Sequence, residues 1–98
     1  MNENELTQAI ESLETALSGF EGIEFVEQQT KLLELKNEVA GRVFDSVIAD
    51  LQAIPEFDAQ EFRKLVAAAN DATKARQAQV DAFNSAVGFL RRAVGLVL

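Results

Sequence analysis

The chain has 98 residues, 48% hydrophobic and 26% charged, with a formal net charge of −7 and a pI near 4.5. A chain of this length buries about two-thirds of the surface it exposes when unfolded, enough for one core. It has no cysteine and no histidine, which excludes disulfides, thiolate chemistry and the commonest acid–base group and metal ligand, while the acidic balance argues against a phosphate-binding face.

Leu6, Ile10, Leu13, Leu17 and Phe20 recur with 4-3-4-3 spacing, one face of an amphipathic helix that Asn2 or Asn4 can cap. This predicts a first helix over residues 4–18. Gly19 is suited to ending it, and Ser18-x-x-Glu21 has the capping-box form that opens a second. Acids concentrate in this third of the chain: Glu3, Glu5, Glu11, Glu14, Glu21, Glu24 and Glu27 precede any base. Residues 61–98 instead carry Arg63, Lys64, Lys74, Arg76, Arg91 and Arg92 against Glu61, Asp71 and Asp81. Opposite charge draws the two ends together.

From Val26 a stripe runs through Thr30, Leu33, Asn37, Ala40, Phe44, Val47, Leu51 and Ile54 and stops at Pro55, which lacks a donor and clashes with the turn behind it. A second helix over 23–54 follows, about 48 Å long at 1.5 Å per residue. Gly41 is its weak spot, since an interior glycine costs about 1 kcal/mol relative to alanine. Asp58-x-x-Glu61 is another capping box, and Phe57 can staple onto Phe62, so a third helix spans 59–97. Its stripe is Phe62, Val66, Ala69, Thr73, Arg76, Val80, Phe83, Val87, Leu90, Val94 and Val97. A sustained period near 3.5 implies left-handed supercoiling. The expected fold is therefore all-α, a single helical domain over 1–98: a long antiparallel, coiled-coil-like hairpin with the short first helix packed on the end that carries the termini.

Folding the second helix on the third pairs Leu51 with Phe62, Val47 with Val66 and Leu33 with Val80, and gathers Asn37, Thr73 and Arg76 into one polar layer with Asn70 at its edge. Such a layer fixes register; a small-molecule or anion site around Arg76 is the alternative. The distal half of the hairpin carries more apolar surface than one seam consumes. Val43, Ile48, Leu51, Leu65, Ala68 and Ala72, with Phe89 and Leu96 near the end of the chain, form the expected interface with a second copy or another protein.

Glu24 and Glu27, and Glu34 and Glu38, share helix faces but fall off the core stripes, and with no histidine neither a metal site, a cofactor nor a catalytic pair is expected. No basic segment followed by an apolar stretch opens the chain. Its longest apolar run, Ala93 to Leu98, is far short of the roughly 20 residues that span a bilayer, so a cytoplasmic, soluble chain is expected, with secretion lacking a cleavable signal as the alternative. These features predict a non-enzymatic, helical protein-binding module, adaptor or inhibitor acting through helix faces as a homo-oligomer. The alternatives are a structural subunit of a particle or filament, and an acidic mimic of nucleic acid that blocks a nucleic-acid-binding protein.

Overall fold

The structure, a computed structural model, describes residues 1–96. Every regular element in it is a helix: α1 (Glu3–Leu17), α2 (Gly22–Ala40), α3 (Phe44–Gln52), α4 (Ala59–Ala69) and α5 (Arg76–Ala93). Val97, expected as the last seam residue, and Leu98 lie outside the described residues.

α1 begins where the sequence predicts. The Asn2 side-chain oxygen accepts from the Glu5 backbone N–H at 2.8 Å, and Glu3 and Glu5 place negative charge at the positive end of the helix dipole. Leu6, Ala9, Ile10, Leu13, Ala16 and Leu17 form its buried face. α2 is entered through Gly22 at φ +65°, a left-handed conformation open to glycine at no steric cost. α4 has the predicted cap: Asp58 Oδ1 accepts from the Glu61 backbone N–H at 2.9 Å, and the Phe57 and Phe62 rings pack with centroids 5.6 Å apart.

The long hairpin does not form. The helix expected over 23–54 breaks at residues 41–43, and the one expected over 59–97 breaks at residues 70–75. At the first break Gly41 caps α2, Val43 is extended (φ −76°, ψ 131°), and α3 turns back on the core. At the second, local side chains take over the backbone hydrogen bonds. The Asn70 amide donates to the Val66 carbonyl oxygen at 3.1 Å and to that of Ser12 at 3.0 Å. Asp71 Oδ1 accepts from the Thr73 backbone N–H at 2.9 Å and from its hydroxyl at 2.6 Å. An Asx-type turn of this kind competes directly with helix continuation. The energetic reason is burial: two extended helices share one seam, whereas folding each back lets five short helices enclose a common core. The result measures 33 × 25 × 22 Å, shorter than the expected rod of about 50 Å.

α5 is the central element. It packs most extensively on α4 and is flanked by α2 and α3, with α1 closing across α2, α3, α4 and α5. Leu6, Leu13, Leu35, Leu51, Phe62, Phe83 and Leu90 are fully enclosed, and Phe20 meets Phe83 edge to face at 5.4 Å. α1 runs in the same sense as α4, tied by a salt bridge from Arg63 to Glu5 and by the Asn70–Ser12 bond. The first helix is expected on the terminal half of the third, which is α5; its larger contact is with α4, because the break at 70–75 separates α4 from α5 and lets it fold back beside α1. α2 runs alongside α5 in the same sense, joined by Arg91 to Lys31 and Glu34 and by Arg42 to Val94. Among the described residues no helix is long and apolar enough to cross a membrane.

Candidate interaction surface

α2 is apolar on two opposite sides. Gln28, Leu32, Leu35 and Val39 are its buried positions. At 3.6 residues per turn, Ile23, Val26, Thr30, Leu33 and Asn37 occupy a sector of roughly 80° on nearly the opposite side. There Ile23 is 77% exposed, Val26 60% and Leu33 51%. The Thr30 hydroxyl donates to the Val26 carbonyl oxygen at 2.9 Å, so it is satisfied inside the helix and does not interrupt the strip. Val43, just beyond α2, is 68% exposed.

Beside Leu33 the strip borders a groove between α1 and α2, with a volume of 290 Å³ and with Leu17, Phe25 and Leu32 on its apolar side. Lys36 and Glu14 face each other across it at 3.0 Å. The other edge of the strip is mainly acidic: Glu27, Glu34 and Glu38 follow one another along it, with Lys31 between the first two. Glu34 is paired with Arg91 at 3.3 Å and Glu38 with Arg42 at 2.7 Å. Glu27, next to Val26 on that edge, and Glu21 and Glu24 at the start of the helix form no ion pair among the described residues.

The polar layer foreseen from the sequence is not assembled. Asn37 is exposed on the outer face of α2, Thr73 lies in the Asp71 turn, and Arg76 is exposed at the start of α5, with its guanidinium 6.0 Å from the centre of the Phe20 ring. The pairing that brought them together required unbroken helices. The foreseen interface is divided as well. Ile48 and Leu51 are buried in the chain's own core, because α3 folds inward after the break. Val43 and Ala72 are exposed, and Leu65 and Ala68 are half-buried on the outer side of α4. Phe89 packs edge to face on Phe57 at 5.7 Å, and the half-buried Leu96 packs against the core. These residues do not make one surface. The strip on α2 is the stripe that the sequence periodicity assigns to the seam, and Ile23, three residues before Val26 in the same phase, extends it.

A second cleft, between α2 and α5, holds the buried polar groups of the fold. Arg91 is 7% exposed and donates to the Lys31 carbonyl oxygen at 3.2 Å and to Glu34 at 3.3 Å. Its neighbour Arg92 pairs with Glu56 at 3.3 Å. Gln28 is 3% exposed, and its amide oxygen has no hydrogen-bond partner among the described residues. The arginines here are matched by carboxylates, so the cleft reads as a packing joint. Comparison with protein-family models, with curated proteins and with solved structures gives no match.

Proposed function

We propose that this chain is a non-catalytic protein-binding module whose contact surface is the outer face of α2. The observation that carries this reading is the exposure of Ile23, Val26 and Leu33 at 3-7 spacing on one helix face, with the groove beside Leu33 extending it. α2 already packs on the core through Leu32, Leu35 and Val39, so among the described residues the second apolar face has no intramolecular partner. Contiguous exposed apolar surface of this kind marks an interaction site, and the groove is of a size to receive one large side chain from a partner.

The test is site-specific photo-cross-linking in the source cells. A photoreactive residue at Val26 should give a discrete adduct that Leu33→Asp removes, while the same residue at the exposed Asp81 of α5 should not. Equal labelling from Val26 and Asp81, or an adduct at Val26 that survives Leu33→Asp, would discard this surface.

A further inference from the structure

Resting on the reading of α2 as the contact surface, we infer that its partner is an amphipathic helix of another protein, apolar along one face and basic beside it. The argument is charge complementarity. One edge of the strip carries three carboxylates, Glu27, Glu34 and Glu38, against a single lysine, Lys31; Glu34 and Glu38 are paired with Arg91 and Arg42, while Glu27 and, at the N-terminal end, Glu21 and Glu24 form no ion pair among the described residues. On the opposite edge Lys36 is already paired with Glu14, so this face has little positive charge to offer a partner.

A second copy of the chain fits this pattern poorly in either two-fold arrangement. If two α2 helices pair antiparallel, the two-fold axis lies in the interface across the helices and maps each edge onto the same edge. Glu27 and Glu34 of one copy then line up with Glu27 and Glu34 of the other. If they pair parallel, Glu21, Glu24 and Glu27 of both copies stand at the same height. The antiparallel arrangement sets like charges together; the parallel one maps each edge onto the opposite edge and is opposed only by the approach of two chains of net charge −7, a repulsion that disfavours pairing even where the apolar contact is good. A helix with Lys or Arg beside its apolar face resolves both problems. About three turns of such a helix cover Ile23 to Leu33, and one large side chain of it enters the groove between α1 and α2.

The experiment uses two synthetic helical peptides with the same leucine face, one flanked by lysines and one by glutamates, titrated into the full chain by calorimetry, with sedimentation of the chain alone in parallel. The lysine-flanked peptide should bind about tenfold or more tighter than the glutamate-flanked one, weaken with salt, and weaken again in Glu24→Lys with Glu27→Lys. Leu33→Asp should abolish binding. Equal binding of both peptides, lost in Leu33→Asp, overturns the basic partner and leaves the α2 surface standing. Self-association lost in Leu33→Asp, with neither peptide bound, assigns the surface to a second copy and overturns the inference. Lysine-peptide binding that Leu33→Asp leaves intact would be non-specific charge attraction and overturns it too, as would a monomer that binds neither peptide.

Discussion

Arg42 and Val94, 52 residues apart in sequence, are joined by a 2.8 Å hydrogen bond from the guanidinium Nη2 to the carbonyl oxygen. Val94 is the C-cap of α5 and Arg42 lies in the break between α2 and α3, so one side chain fixes the turn at the end of one helix and closes the end of another. A cation there also complements the negative end of the α5 dipole. Arg42→Met, which keeps the aliphatic stem, should cost about 1 kcal/mol and lower the melting temperature by about 4–8 °C. Thermal melts followed by far-ultraviolet circular dichroism would show it, and an unchanged midpoint would mean that the bond contributes nothing net.

The two faces of α2 should respond oppositely to truncation. Leu35→Ala and Leu32→Ala empty space in the core and should destabilise by about 2–4 kcal/mol. Val26→Ser and Leu33→Ser change only exposed positions and should stay within about 0.5 kcal/mol of the parent. Urea denaturation of the four variants separates the five-helix fold from the long hairpin, in which Leu33 pairs with Val80 and its truncation is the costly one.

Gln28 buries an amide oxygen that gains no hydrogen bond among the described residues. Replacing a buried, unsatisfied polar group with an apolar one of similar volume removes a desolvation cost, so Gln28→Leu should raise stability by about 1 kcal/mol. A melting midpoint at or below that of the parent would show that the glutamine makes a compensating contact.

Among the described residues three carboxylates are held below their ordinary values. Glu5 is lowered from 4.5 chiefly by the hydrogen bond from Arg63. Glu56 is lowered from 4.5 by its own backbone amide and then by the Arg92 charge. Asp71 is lowered from 3.8 by the Thr73 hydroxyl and then by the Thr73 amide. A group with a depressed folded-state pKa contributes stability that is complete above its unfolded value and is lost as pH falls through its folded value. Stability should therefore be flat near neutrality and decline below the ordinary carboxylate range. Glu5→Gln should flatten that decline when denaturation midpoints are compared between pH 7 and pH 3; an identical slope would remove Glu5 from the account.

The sequence was most informative where a local signal was chemically complete. Asn2, the Asp58 capping box and the Phe57–Phe62 staple gave the starts of α1 and α4 within a residue, and Pro55 marked the corner between α3 and α4. It misled where a periodic pattern ran across a break. The 4-3 spacing continues from Ala40 to Phe44 and from Ala69 to Thr73, so phase alone joins helices that are separate in space. Gly41 stood out as a weak spot, and the chain does break beside it. At the second break Asn70-Asp71 with Thr73 two residues on is a recognisable turn signal, outweighed in the reading by the longer stripe. The register layer of Asn37, Thr73 and Arg76 inherited that error, and the two-faced character of α2 could not be seen while its outer stripe was taken as the inner one.

A helix apolar on two opposite sides has two nearly degenerate ways to lie on its core. Rotating α2 by half a turn exchanges Leu32, Leu35 and Val39 for Ile23, Val26 and Leu33, side chains of similar bulk, so apolar burial discriminates weakly between the two packings. Polar anchoring discriminates strongly. In the observed rotation Arg91, almost wholly enclosed, reaches the Lys31 carbonyl oxygen and Glu34; the other rotation takes these two contacts away from a buried guanidinium, which is costly. Arg91 therefore acts as a key that admits one orientation of α2 and turns Ile23, Val26 and Leu33 outward. On this account the outward strip is held in place by a side chain of a neighbouring helix, which grips α2 at Lys31 and Glu34 along the strip's edge.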